Sequence, residues 1–271
     1  MVPKLLVPVV PFLPFVPLVA SVPFVYTFVP SVPSVDFVRR RKRAYMARPL
    51  PTFRGTAVDY ALLRRAGGYA GVAAVVTYVF GALAAATQYP GPFSPAVNWM
   101  SDLGSYDLNP SGALIYNACA FVAGFALVPF FAGLAAWYYE VKKDRYYYGG
   151  AVLSGLIAAA GMVMQAVFQE GTGSHASWAA VAFLGLGLVL VLANKALLSH
   201  PRFNRLIGYY GYLAVLVSIA FLALSLGMKD PPVIMEWLTA YMGFLWVLLF
   251  SYNALSEQGM TKRVRKHEKG I

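Results

Sequence analysis

The sequence predicts an all-α polytopic membrane protein, built as a bundle of six transmembrane helices. Hydrophobic residues make up 59% of the 271-residue chain and charged residues only 12%, which is about half of the charged share of soluble domains. The mean hydropathy of +0.61 agrees with this composition. Each apolar run is close to the roughly 20 residues that cross a bilayer as a helix. The six runs cover residues 67–88, 112–137, 149–169, 174–197, 207–227 and 233–255.

Residues 1–45 form a tail that is rich in proline and, near its end, in arginine. From Pro8 to Pro17 every third residue is proline, a spacing that suits polyproline II rather than an α-helix. A polyproline segment leaves its backbone groups unsatisfied in lipid. We therefore expect a disordered or peripheral tail. The alternative is a wrongly assigned start, with Met46 as the natural first residue.

The basic residues predict the orientation of the bundle. If the six runs cross the membrane, Lys229 is the only one of the 22 Lys and Arg residues on the second side. Cytoplasmic loops carry an excess of Lys and Arg, so both termini are predicted to be cytoplasmic, in the cell membrane. Residues 46–66 are then a cytoplasmic juxtamembrane segment, 67–255 the transmembrane domain and 256–271 a basic cytoplasmic tail.

The same reasoning applies to the basic run Arg39–Arg43. Such a run is typical of a nucleic-acid-binding patch, of a site for anionic lipid, or of a cytoplasmic segment that sets the orientation in the membrane. Its position before the first span favours the last of these. We therefore predict membrane lipids as partners and no nucleic acid.

Three ionisable residues on the predicted outer side are the candidates for catalysis. Asp102 lies in the long interruption NWMSDLGSYDLNPSGALIYN between the first two spans. Glu170 ends the third run, and a loop of a few residues leads to His175 at the start of the fourth. Such a short loop must bring Glu170 and His175 close together. In an enzyme, His175 would act as general base or acid, oriented by Glu170, with Asp102 positioning substrate or a metal.

Three further residues are candidates for binding at the same end. Asn117 lies about one turn into the second span, and Glu236 opens the sixth. Gln165 and Gln169 are four residues apart and would share one helix face. This places Gln169 at the same outer end of the bundle as the other candidates. Apolar spans leave such groups few partners except one another, so we expect four candidates to converge, with the two others, Asn117 and Glu236, on the rim. The four are Asp102, Gln169, Glu170 and His175.

Each of these residues also has a structural explanation. Glu236 complements a helix dipole, and Asp102 and Asn109 suit turns or caps. Asn117 and His175 suit hydrogen bonds between neighbouring helices. One histidine among carboxylates suits a divalent ion, but the spacing defines no metal and no cofactor.

Small residues recur along the spans, beginning with Gly67 and Gly71 four positions apart. Small faces let transmembrane helices approach closely. We expect them to pack helices within the bundle; an interface in a homo-oligomer or a larger membrane complex is the alternative.

Two stretches carry a family resemblance: SDLGSYDLNPSGALIYN and GMVMQAVFQEGTGSHASWAAVAFL. They resemble the archaeal and bacterial polytopic family called domain of unknown function 998. That family is in turn similar to the six-span eukaryotic superfamily of the DRAM autophagy modulators and the Golgi GPI-anchor lipid-remodelling proteins. The positions that match are Ser101, Asp102, Gly104, Pro110, Ser111, Phe168, Gln169 and His175. The resemblance covers about residues 67–255, and its eukaryotic members imply the handling of lipids or lipid anchors.

Two functions follow from these observations. The first is a membrane protein that binds or modifies a lipid head group at the outer leaflet. The second is a non-enzymatic scaffold, assembly factor or complex subunit, which is favoured by the lack of a nucleophile beside a base in recognisable spacing. Whether the protein is an enzyme stays open at this point.

Overall fold

The computed structural model describes the backbone of residues 59–268 and the side chains of residues 59–256. Within that part of the chain the structure is helical, without strands, and six helices are long and apolar enough to cross a membrane. This confirms the predicted fold class. The helices are α1 (Tyr60–Ala86), α2 (Ala113–Val141), α3 (Arg145–Val167), α4 (His175–Leu197), α5 (Arg205–Gly227) and α6 (Ile234–Glu268).

The helices form a closed ring. Each packs against the next one along the chain, and α6 returns to pack against α1. Successive helices run in opposite directions, so the bundle has two ends. We name the end where α1 begins the terminal face. The opposite end, which carries a short 3₁₀ helix at Ser101–Gly104, is the distal face.

Glycines let α1 approach its neighbours closely. A Cβ atom on Gly67 would lie 3.1 Å from the Cα atom of Gly133 and 3.2 Å from the carbonyl oxygen of Pro129 in α2. A Cβ atom on Gly71 would overlap Ser251 of α6 and Phe130 of α2. Both glycines of the predicted small face therefore pack within the bundle, as expected.

A buried ion cluster joins the helices at the terminal face. Arg64 donates to Glu140 across 2.7 Å, and Arg202 donates to the other carboxylate oxygen across 3.2 Å. The Arg64 guanidinium also lies 5.4 Å from the ring centre of Trp137. Burial lowers the pKa of His200 to about 3, with Arg202 and Arg64 acting in the same direction, so the ring is neutral near Glu140 at neutral pH. Arg64, which lies in the predicted juxtamembrane segment 46–66, is only 5% exposed.

Helix boundaries differ from the apolar runs at most ends, and three of the differences matter here. Helix α1 begins at Tyr60, before residue 67, because the Asp59 carboxylate accepts from the backbone N–H groups of its first turn. Helix α3 ends at Val167 rather than 169, and α6 continues to Glu268 beyond its apolar run. The predicted tail at 1–45, residues 46–58 and the side chains of the basic tail from 257 onward lie outside the described residues.

Candidate functional site

The loop between α1 and α2 folds across the distal face and is held by Asn109. Its side-chain amide donates to the carbonyl oxygens of Ala85 and Leu103, both across 3.1 Å, and its side-chain oxygen accepts from the Gly112 N–H. Asn109 is completely buried. Asn109 is therefore a turn residue, as expected, but it is not the cap of α2, whose N-cap position is Gly112.

Asp102 sits in the 3₁₀ helix and is buried. Its carboxylate accepts from the Trp99 N–H across 2.9 Å, which closes the turn. Burial raises the pKa of Asp102 above its ordinary value, the Trp99 hydrogen bond opposes this, and the nearby Glu170 carboxylate raises it further. Asn117 of α2 fixes the end of the same turn by donating to the Gly104 carbonyl oxygen across 2.8 Å. Asp102 and Asn117 thus shape the loop.

Glu170 and His175 meet as their short loop predicts. His175 Nε2 lies 3.1 Å from a carboxylate oxygen of Glu170. His175 Nδ1 lies 2.8 Å from the Phe168 carbonyl oxygen and 3.2 Å from that of Gln165. Because carbonyl oxygens only accept, Nδ1 carries a hydrogen. If the contact between Nε2 and Glu170 is also a hydrogen bond, a further hydrogen must lie on one of those two groups.

Glu236 ties the loop to α6. Its carboxylate accepts from the Met100 N–H across 2.7 Å. The neighbouring Trp237 donates its ring N–H to the Asn98 carbonyl oxygen across 2.8 Å. Glu236 is thereby drawn to the inside of the bundle mouth, on the same side as Glu170 and His175.

A small chamber of about 20 Å³ lies beneath this mouth. Tyr78 and Tyr116 form a hydrogen-bonded pair on its wall, and Tyr78 also donates to the Met100 sulfur across 3.0 Å. The chamber is also lined by Gln165, and not by Gln169. The prediction that Gln165 and Gln169 share a helix face is wrong, because α3 ends at Val167 before it reaches Gln169.

Helices α4 and α5 part from each other towards the distal face. Near the terminal face they are close: a Cβ atom on Gly208 would lie 2.7 Å from the Leu198 side chain, and one on Gly211 would overlap Asn194. The buried residues of α5 all lie in its first half, and those of α4 lie between Gly185, next to the helix midpoint, and the last residue, Leu197. Since the two helices run in opposite directions, these halves are the same end of the bundle.

The resulting cleft holds a cavity of about 560 Å³. Its long walls are apolar side chains of α4 and α5, several of them exposed at the edge of the cleft, such as Leu184, Leu188 and Ile219. Its distal end is lined by Glu170, His175 and other polar groups. These are Trp99, Ser101, Glu236 and Thr239. One end of the cavity is therefore polar, and the remainder is apolar apart from Ser218 and Ser225 of α5.

Thr239 is a polar residue of this cavity that the sequence analysis did not select. It is 4% exposed, and its hydroxyl oxygen has no hydrogen-bond partner. Its position three residues after Glu236 is the only sequence signal, since residues three apart share a helix face. The hydroxyl oxygen itself has almost no accessible surface, so it is not open to a ligand in the cavity.

Five of the six candidates predicted from the sequence therefore separate into two groups, and Gln169 belongs to neither. Glu170, His175 and Glu236 line the cavity, whereas Asp102 and Asn117 hold the loop beside it. Their roles in binding or catalysis stay predictions. Among the described residues, no group of three or more His, Cys, Asp and Glu side chains is placed to hold a metal ion.

The chain matches the family model described as "Protein of unknown function (DUF998)" over residues 72–253. It belongs to this family. The matched segment starts within α1 and ends within α6, so it includes the whole cavity and the distal loop. No curated protein and no solved structure matches the chain. The similarity to the DRAM and GPI-anchor-remodelling proteins stays a prediction.

Proposed function

We propose that this DUF998 protein binds a membrane amphiphile, with the chain of the ligand in the α4–α5 cleft and its head group at the distal mouth. The observation that carries this proposal is the cavity of about 560 Å³ with apolar walls and one polar end. Its volume is within the roughly 300–1,000 Å³ of small-molecule sites. The integral membrane character of the protein places such a cleft in contact with lipid.

The length of the cleft supports an acyl or alkyl chain as the ligand's apolar part. The lining residues of α4 extend from His175 to Val191. Sixteen helical steps at about 1.5 Å each give a length of roughly 24 Å. One leaflet contributes about half of the roughly 30 Å hydrocarbon core. A lipid chain from the leaflet at the distal face therefore fits within the cleft.

The geometry of His175 favours binding over acid–base catalysis. Its Nδ1 is held by backbone carbonyl oxygens and its Nε2 faces Glu170. Neither nitrogen points freely towards a substrate, and a general base must reach the proton that it removes. We therefore assign the mouth to recognition of the head group.

Filling the cleft should abolish binding. A Cβ atom on Gly187 meets no atom within 4 Å although this residue lines the cavity, so Gly187→Phe places a large ring in the cleft without displacing a helix. We expect the fraction of purified full-length protein that carries bound lipid to fall at least tenfold, measured by native mass spectrometry from a neutral detergent.

The matched control is Gly149→Phe. Gly149 is exposed on α3, and a Cβ atom there also meets no atom within 4 Å, so the same added ring lies outside the cavity. The control should keep the bound lipid of the wild type. Equal lipid occupancy in Gly187→Phe and in the wild type would contradict the proposal and favour the scaffold hypothesis.

We also propose that the protein lies in the cell membrane with both termini cytoplasmic, so that the distal mouth opens at the outer leaflet. The distribution of 21 basic residues against Lys229 alone supports this orientation. A reporter fused after Ile271 should read as cytoplasmic, and one inserted beside exposed Asp107 in the distal loop should read as external. The opposite pair of readings would reverse the orientation.

A further inference from the structure

We infer that the α4–α5 cleft selects its ligand by the length of the apolar chain, because the terminal end of the cleft is closed at Val191 and Val215. This inference rests on the proposed amphiphile site and adds which chains fit it. Of the residues that line the cavity, Val191 is the nearest to the terminal face on α4 and Val215 is the nearest on α5.

The antiparallel register of the two helices places these valines at the same level. Asn194 of α4 contacts Gly211 of α5. Because the helices run in opposite directions, Val191, three residues before Asn194, is level with Val215, four residues after Gly211. Both valines therefore lie about one helical turn from the place where α4 and α5 meet.

The contact behind the two valines is solidly packed. The side chains of Asn194 and Trp246 are completely buried, and the Asn194 side-chain oxygen accepts from the Trp246 ring N–H across 3.0 Å. A Cβ atom on Gly211 would overlap Asn194 and lie 2.8 Å from the Trp246 ring nitrogen. A chain that enters from the distal mouth therefore cannot extend past the level of the valines.

The cavity is continuous from the mouth to this closed end. Phe183 and Phe221 face each other partway along it, with ring centres 6.0 Å apart. Ala179 on the distal side of this pair and Gly187 on its terminal side line the same cavity. A chain can therefore pass beside the two rings and reach Val191.

The length of the apolar part sets the expected limit. Fifteen helical steps from Ala176 to Val191, at about 1.5 Å each, give roughly 22 Å. A fully extended chain advances about 1.2 Å per bond, so a chain of about 18 carbons fills the cleft.

Packing decides the preference, because a chain that moves from lipid into the protein gains little from the hydrophobic effect. A shorter chain leaves apolar space unfilled at the closed end, and the lining loses those contacts. A longer chain must turn sideways out of the cleft at Val191, which is 38% exposed at its edge. Binding should therefore pass through a maximum as the chain lengthens.

A mixture of lysophosphatidylcholines tests chain length at a constant head group. The purified full-length protein in neutral detergent is given equal amounts of probes with saturated chains of ten to twenty-four carbons, and native mass spectrometry measures which probes are bound. We expect the bound distribution to have its maximum at about 16–18 carbons. The shortest and the longest probes should each be bound at least about fivefold less.

Substitutions at the closed end then assign the limit to the two valines. Val191→Phe and Val215→Phe each place a ring there from a different helix, so either variant should move the maximum at least two carbons shorter. If one variant does not fold, the other still reports the shift. Val76→Phe is the matched control, because Val76 is exposed on α1 and does not line the cavity; it should keep the maximum of the wild type. Gly187→Phe, about one turn nearer the mouth, should exclude all but the shortest probes.

The outcomes separate this inference from the proposal beneath it. If the wild type binds all chain lengths equally and Gly187→Phe still loses its bound lipid, the amphiphile site stands and the selection of length is overturned. The selection is also wrong if a maximum exists but stays in place in the folded valine variants. If Gly187→Phe binds every probe as the wild type does, the cleft is not the site and the proposed function itself fails.

Discussion

Removal of the Glu140 carboxylate should be the most damaging single change on the terminal face. The side chain is 4% exposed, and it pairs with Arg64, which is 5% exposed, and with Arg202. In Glu140→Ala the Arg64 guanidinium stays buried without its ion pair, and breaking a buried pair costs about 3–5 kcal/mol. We expect the thermal unfolding midpoint of the purified protein in neutral detergent to fall by roughly 10 °C.

Two variants test whether the loss comes from the stranded arginine. Asp144→Asn is the matched control, because Asp144 lies on the same face and its carboxylate accepts from Ser199 at an exposed site; its cost should stay below about 1 kcal/mol. The double variant Arg64→Leu with Glu140→Leu removes both charges and should recover part of the lost stability. A double variant as unstable as the sum of its single changes would show that Arg64 and Glu140 are not coupled.

The six spanning helices, though not their closed ring, follow from hydropathy, because each span must satisfy its own backbone hydrogen bonds in lipid. The contact between Glu170 and His175 could also be predicted from the sequence, because two residues five positions apart in a short loop must lie close together. Both predictions depend only on local chain geometry. Gln169 failed for a related reason: its place on a helix face assumed that α3 continues, and the helix ends at Val167.

Arg64 shows what local reasoning misses. Its partner Glu140 is 76 residues away in the sequence. Arg64 and its neighbour Arg65 look alike in the sequence, so nothing there distinguishes a buried arginine from a solvated one. Only the packing of α1 against α2 makes this distinction. Long-range ion pairs of this kind become visible once helix neighbours are known.

The cleft was also beyond sequence reasoning. Helices α4 and α5 are apolar on every face, as membrane helices are, so no stripe of polarity marks the faces that separate. The glycines that close the terminal end of the cleft, Gly208 and Gly211, resemble the other small residues of the spans in sequence. Thr239 was missed because its place in the cavity lining depends on how α6 packs against the other helices.

Replacement of Gly161 by alanine should force α3 and α4 apart. A Cβ atom at this position would lie 2.6 Å from the backbone nitrogen of Ala182 and 2.9 Å from its Cα atom. These are backbone atoms of a helix and cannot rotate away, so the added methyl group must displace α4 itself. Overpacking of this kind costs about 1–3 kcal/mol, and Gly161→Val should cost more. The unfolding midpoint in neutral detergent measures this loss.

The position of α4 also sets the width of the amphiphile cleft, because the face of α4 opposite α3 forms one cleft wall. Gly161→Ala should therefore reduce bound lipid as well as stability, and both losses should grow in Gly161→Val. The control is Gly149→Ala in the same helix, where a Cβ atom meets nothing within 4 Å and alanine should stabilise by up to about 1 kcal/mol through its higher helix propensity. If Gly161→Ala behaves like Gly149→Ala, the α3–α4 contact is not close-packed and the cleft does not depend on it.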